Sequence, residues 1–431
     1  MKKAIVIGSG AGGAMAAKEL QGHFQVTVLE AGGEFKPFQF DVESLARFRK
    51  TGVYLDERMI TGLFPSMRIR KATSGMVLVY GKCTGGTTTL SCGNGMRCDQ
   101  GLIRLGIDLD PEFEELAEEV PLSTDHQKCW SPITKSLYRV CEELGYEPMP
   151  TTKMVTGKPC AQCSRCVLGC RTGAKWDSRE LLKEAIEKGA DLKTNCAVEK
   201  LRIDPKDHTV HFVYTRENGR SKIYFADLIV LAAGGLSTPI ILEQSGISCE
   251  PTLFVDPVLC VAAEYKNAGQ DHQIPMAFLM ERDGYMLSPY IDYLSYFFNK
   301  SWRLPSSDIL SMMIKLSDSE AGASRSQTLI KDLTRRDRER LKTAVSECRA
   351  ILGKMGVANK DMFLGTINAG HPGGMLPLTA NEAESFHNPN LPENLYIADA
   401  TLLPESLGNP PIYTTLALAK RVAKVCTKAM A

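Results

Sequence analysis

The sequence predicts an α/β protein, a doubly wound, Rossmann-like nucleotide-binding domain joined to a smaller antiparallel-sheet substrate domain. Three observations predict it. The first thirty residues read strand, glycine turn, helix, strand, acid. A second apolar run, Leu228-Ile229-Val230-Leu231-Ala232-Ala233, again ends in glycines, Gly234-Gly235. Stretches of alternating apolar and polar residues lie before it and continue to about residue 300, the period of half-buried strands.

The opening unit is the most specific. The β-branched run Ala4-Ile5-Val6-Ile7 leads into Gly8-Ser9-Gly10-Ala11-Gly12-Gly13, a Gly-x-Gly-x-x-Gly turn, then into an Ala-rich helical stretch. Such glycines let the backbone approach a pyrophosphate, and a helix starting at Ala11 points free N–H groups at it. The next strand ends at Glu30, twenty-two residues after Gly8. That spacing suits an acid on a ribose hydroxyl, and favours an unphosphorylated ribose, as in FAD or NAD.

The remaining elements follow in order. Residues 36–80 are mixed. Residues 81–98 form a second Gly-rich segment. Residues 107–125 are acidic and read as surface helix or loop, and residues 132–147 have helical spacing. Residues 178–189 form a helix with Ser178 as N-cap. Residues 191–231 alternate as a small antiparallel sheet. A long amphipathic helix covers 334–356, and a last helix covers 413–430, after Pro410-Pro411. No internal repeat or low-complexity linker interrupts them.

Composition bounds the function. A chain of 431 residues, 44% hydrophobic and 23% charged, is an ordinary globular protein with one large or two medium domains. A net charge of +1 gives no reason to expect nucleic acid, and the run Arg335–Arg340 is mixed in sign, as on a solvated helix face. No apolar run approaches the ~18 residues of a membrane span. Fourteen cysteines without a leader sequence point to reduced thiols in a cytoplasm.

Cys160-x-x-Cys163-x-x-Cys166-x-x-x-Cys170 has the spacing of a bacterial ferredoxin run. It predicts a [4Fe–4S] cluster held by Cys160, Cys163 and Cys166, closed by Cys170 or a remote cysteine. Tetrahedral zinc and free thiols are the alternatives.

Four segments together resemble the glucose–methanol–choline (GMC) family of FAD-dependent oxidoreductases. They are the N-terminal unit with Glu30-Ala31-Gly32, the segment Gly81–Arg97, the stretch Ala226–Pro239, and Asn394-Leu395-Tyr396-Ile397-Ala398-Asp399-Ala400-Thr401-Leu402-Leu403-Pro404 with Gly408–Thr414 behind it. Residues 250–360 show no such match. The resemblance implies FAD as cofactor. Its binding residues would be Gly8, Gly10, Ala11, Gly12, Gly13 and Glu30; Gly85, Gly86, Thr87, Asn94 and Gly95 beside the isoalloxazine; and Val198, Ala233, Gly234, Asp399, Ala400 and Pro411. It also implies a catalytic histidine in Gly370-His371-Pro372-Gly373-Gly374, close to the His-Pro-x-Gly-Gly of the cholesterol-oxidase branch. A base there needs a pKa near neutrality, which imidazole supplies.

Two departures matter. The family sets x-Asn-Pro or x-His-Pro after its terminal glycine, a second polar partner for the substrate oxygen. Here gap-free alignment puts Pro410 at that place and Asn409 one residue early. Either Asn409 swings in or the second donor is lost. Some alcohol- and sugar-oxidising members also carry a Cys-rich stretch like Gly169–Lys175 with no cluster implied.

The expected layout is an FAD domain from 1–100, 178–255 and 392–431, a Cys-rich insertion over 101–177, and a substrate domain over 256–391. The expected function is oxidation of a CH–OH group in a small molecule (alcohol, sugar or sterol-like) by hydride transfer to flavin, with electrons relayed through the cluster to a protein acceptor. A flavoprotein acting on a C–C or C=C bond, or a non-catalytic FAD electron-transfer protein, are the other readings.

Overall fold

The structure, a computed structural model, describes residues 1–42, 44 and 57–430. The N-terminal unit forms as its pattern predicts: β1 is Lys3–Ile7, α1 is Ala11–Glu19 and β2 is Gln25–Leu29. β1 pairs β2 in parallel from Lys3↔Gln25 to Ile7↔Leu29, and its other edge takes strand Leu228–Leu231. Strands Leu395–Ile397 and Asp191–Lys193 complete a five-stranded parallel sheet. Leu228–Leu231 is apolar throughout because all four side chains are buried, as in a parallel strand covered on both faces. α1 packs against the last helix, Ile412–Met430.

The alternating stretch gives the expected small antiparallel sheet, Cys196–Ile203, Val210–Glu217 and Arg220–Tyr224. Its second hairpin turns on Asn218-Gly219, both at positive φ, the geometry of a two-residue hairpin.

A larger, mostly antiparallel sheet runs in the order Met67–Lys71, Val77–Gly81, Asn368–Ala369, Val258–Glu264, Ile309–Leu316, Tyr285–Pro289, Phe278–Arg282 and Met149–Pro150. Met362–Leu364 also pairs Val258–Glu264. The expected boundaries therefore shift. Residues 67–81, assigned to the nucleotide domain, and residues 149–150, assigned to the insertion, are strands of this second sheet. All eight residues of Ile309–Leu316 are buried. Leu310, Met312 and Ile314 share a core with Ala344, Cys348 and Ile351 of helix Arg335–Lys354, while Ile309 and Met313 face a core with Tyr296 and Phe297. Helix Arg335–Lys354 starts at a capping box, with Thr334 and Asp337 each bonding the other's backbone N–H.

The pairing of the large sheet positions the site. Val258 stands opposite Lys315 on one side and Asn368 on the other. Asp256 lies two residues before that central strand and His371 two residues after Asn368–Ala369, so three distant stretches reach one end of the sheet. Among the described residues no helix is long and apolar enough to cross a membrane.

Candidate active site

A cavity of about 510 Å³ lies between the parallel sheet and the large sheet. On the first side it is lined by Gly8, Ser9, Gly10, Ala11, Gly12 and Glu30. The glycines divide the work. A Cβ on Gly8 would stand 2.4 Å from Ala232 O, and one on Gly12 would stand 1.6 Å from Ala398 O, so these positions let strand and helix backbones touch. A Cβ on Gly10 would meet nothing within 4 Å, which leaves that turn open to a ligand. Gly13 packs behind it, against Gly8 O, and does not line the cavity. α1 has no side-chain cap, so its first amides are open toward the cavity.

Glu30 is buried and accepts from Ser9 Oγ at 2.6 Å, Ser9 N at 3.1 Å and Gly32 N at 2.7 Å. Burial raises its pKa against the pull of those hydrogen bonds. The second Gly-rich segment is fastened over the first. Gly85 N donates to Ser9 Oγ at 3.1 Å, and a Cβ on Gly86 would stand 3.0 Å from Gly10 Cα. Ser178, expected as an N-cap, makes no cap bond. Its hydroxyl instead reaches Ser9 O and Gly85 O, joining the two glycine loops.

Gly86, Thr87, Asn94, Val198, Ala233, Gly234, Asp399, Ala400 and Pro411 also line the cavity. Asp399 is held by Gly234 N at 2.8 Å, Thr238 Oγ1 at 2.6 Å and Thr401 N at 2.8 Å. Gly85 and Gly95 are not at its wall; a Cβ on Gly95 would meet Leu122. An open glycine turn, an uncapped helix start and a buried carboxylate at the end of β2 together fit a dinucleotide.

The large sheet contributes His371, Asp256 and Lys315 to the same wall. His371 Nδ1 stands 3.4 Å from Asp256 Oδ2 and makes no hydrogen bond. Its side chain keeps 26% of its surface, at the cavity wall. Burial and the Lys315 charge push its pKa down to about 4, while the Asp256 carboxylate pulls the other way. Asp256 itself is held down at about 2 despite burial, by the Lys315 ammonium and by His371. Lys315 Nζ reaches Asp256 Oδ2 at 2.5 Å. Neither Asp256 nor Lys315 was singled out by sequence. The available signal was Lys315 as the one charge inside the apolar run Ile309–Leu316.

Asn409 is not brought to this wall. Its Nδ2 stands 3.4 Å from Glu281 Oε1, and Pro410 lines the cavity instead.

The cysteine run is a correction. Among the described residues no group of three or more His, Cys, Asp or Glu side chains is placed to hold a metal ion. The backbone of the run is tied to residue 38 and has hydrogen bonds of its own. Arg171 donates to Phe38 O at 2.7 Å, and Phe38 N to Leu168 O at 2.9 Å. Cys160 and Cys163 are exposed. Cys170 Sγ is taken by Lys175 N and Thr172 Oγ1. Burial pushes the Cys166 thiol up to about 12. The [4Fe–4S] and zinc readings therefore find no support, and with the relay goes the reason to expect a protein electron acceptor.

Comparison with known proteins agrees with the geometry. Residues 105–259 match the family model described as GMC oxidoreductase. An uncharacterized protein of Methanocaldococcus jannaschii is 26% identical over 424 residues, covering 97% of this chain and 98% of its own length. A long-chain-alcohol oxidase of Arabidopsis thaliana is 22% identical over 530 residues, covering 99% of this chain and 67% of that protein. The solved structure of pyridoxine 4-oxidase from Mesorbium loti shares the fold with a TM-score of 0.71 at 17% identity, covering 98% of this chain and 99% of that one. The motif order, the family match over residues 105–259 and the shared fold agree: the chain is similar to GMC-type oxidoreductases.

Proposed function

We propose that this protein is an FAD-dependent oxidoreductase that oxidises a CH–OH group of a small molecule. The observation that carries the reading is His371, set against Asp256 on the same cavity wall as the glycine turn. Gly8–Gly12 and the start of α1 would hold the pyrophosphate, Glu30 the ribose, and Gly86, Thr87, Asn94, Ala400 and Pro411 the ring system. Bound there, FAD supplies the oxidant, accepting a hydride from a C–H bond.

The protein's own groups do the acid–base work. An Nδ1–H on the Asp256 side would leave the lone pair of Nε2 free to take a proton. Its pKa, held down at about 4, keeps the ring neutral at pH 7 and makes it a weaker base than the near-neutral imidazole expected from sequence. Once protonated it faces the Asp256 carboxylate, which stabilises the imidazolium. The fourteen cysteines form no disulfide, which suits a reducing, cytoplasmic setting.

The test is anaerobic flavin bleaching by a panel of primary alcohols, sugars and sterols. A positioned base contributes roughly 10²–10⁴-fold. His371→Ala should slow flavin reduction by about that factor while FAD stays bound. A variant as fast as wild type would move the base elsewhere and favour action on a C–C or C=C bond.

A further inference from the structure

Lys315 is 1% exposed and lines the cavity beside His371. Its ammonium has one hydrogen-bond partner, Asp256 Oδ2. The other buried lysines among the described residues are better engaged. Lys331 donates to Leu253 O, Ser319 O and Ala321 O and pairs Asp318. Lys175 donates to Thr88 O, Thr89 O and Ser91 O. Lys420 meets Glu19, Glu115 and Glu119, and Lys153 meets Asn94 Oδ1 and Pro275 O. An ammonium carries three donors, and burying one unmatched is costly. Lys315 bears that cost at the wall of the reaction cavity.

The pair is braced from behind. Asp256 Oδ1 accepts from Ser406 Oγ at 2.5 Å and Gly408 N at 3.2 Å, while Oδ2 serves both Lys315 and His371. The ammonium and the imidazole therefore stand on one oxygen and face one space. Asp256, Asp318, Cys98 and His371 are the titratable groups whose charges bear on Lys315. Pro410, at the position where a second polar partner was expected, offers no donor.

We propose that Lys315 is a second catalytic residue, donating a hydrogen bond to the substrate oxygen while His371 takes its proton. This rests on the alcohol-oxidising reading above. The O–H bond breaks and its proton goes to His371 Nε2. The charge left on oxygen is met by the Lys315 ammonium, which keeps all its protons. That oxygen's electron pair forms the second C–O bond as the C–H pair leaves with its hydrogen, a hydride, to the bound flavin. A fixed cation is suited to this because it meets charge that develops only in the transition state.

The test uses the FAD-loaded protein and acetate, an oxyanion with no hydride to give. Acetate titration followed in the flavin visible band should saturate in wild type, weaken at least tenfold in K315Q, and change little in H371Q. With an alcohol that bleaches the flavin, K315Q should lose about 10²–10³-fold in kcat with a smaller change in KM. Its acid limb should also move to higher pH, because the charge that depresses His371 is gone. K315R should recover part of the rate. Equal acetate affinity in K315Q and wild type overturns the proposal. So does a wild type that acetate does not perturb, a result that needs no variant to fold. The two readings separate: slow H371A with normal K315Q sinks only the Lys315 role, and normal H371A with slow K315Q sinks only the base.

Discussion

With His371 as the proposed base, the balance of three effects on its ring would set the working pH. Burial and the Lys315 charge disfavour the imidazolium, and Asp256 favours it; the first two win, and the pKa falls to about 4. A base must be unprotonated to act, so activity is present above the pKa and lost as pH falls through it. Flavin reduction should hold its rate through pH 6.5, where an unperturbed imidazole would be half protonated, and fall only near pH 4. Stopped-flow rates across pH 3.5–8 check this, and an acid limb near 6.5 would show that His371 is not in this environment. Asp256→Asn tests the opposing influence: it removes the only group pulling the ring upward and leaves Lys315 a buried cation without its counter-charge. His371 and Glu30, which both line the cavity, were singled out in sequence because each sits in a short motif with its own chemistry. Asp256 was not, since an Asp before a Pro reads as a turn.

Among the elements, α1 shows how much depends on backbone proximity. Gly12 faces Ala398 O, where a Cβ would stand at 1.6 Å, nearer than atoms can approach. Neither partner is a side chain able to swing aside, so Gly12→Ala must push the helix off the sheet. We expect loss of FAD retention and a destabilisation of at least 2 kcal/mol, on the order of the cost of overpacking a core. Gly10→Ala is the contrast, because its Cβ would meet nothing in the protein. It should fold normally and weaken FAD binding alone. Thermal unfolding of both apoproteins, with flavin occupancy beside it, separates packing from ligand approach; equal unfolding temperatures for the two would contradict it. The cysteine run is the element the sequence misled on. Ferredoxin spacing fixes how far apart thiols are along the chain. It does not fix how they group in space, and here, with Arg171 and Leu168 tied to Phe38, no three of them among the described residues are placed to hold a metal ion.

Across the whole molecule, the cavity is shared by two sheets, so a dinucleotide bound in it would touch both. A ligand that binds only the folded state stabilises it by RT ln(1 + [L]/Kd), about 2.7 kcal/mol at a hundredfold excess over Kd. Removing FAD should therefore lower the unfolding temperature by several degrees, and adding it back should restore the loss in proportion to ln[FAD]. Calorimetry of apo and reconstituted protein measures it. No change on reconstitution would argue against a nucleotide bridging the two sheets.

The sequence alone determined the N-terminal strand–turn–helix–strand unit, the small antiparallel sheet, the long helices and the place of His371 in the chain. These are local: a strand, a turn and a helix announce themselves through period and glycine placement within about thirty residues. Tertiary structure alone decided that residues 67–81 join the second sheet, that the Cys160–Cys170 run is not grouped to hold a metal ion, and that Lys315 and His371 stand beside one oxygen of Asp256. Strand pairing is non-local, and its register, Val258 opposite both Lys315 and Asn368, is chosen by how two apolar cores close around the sheet. A lone lysine in an apolar strand becomes a buried cation beside a histidine only once that register is set.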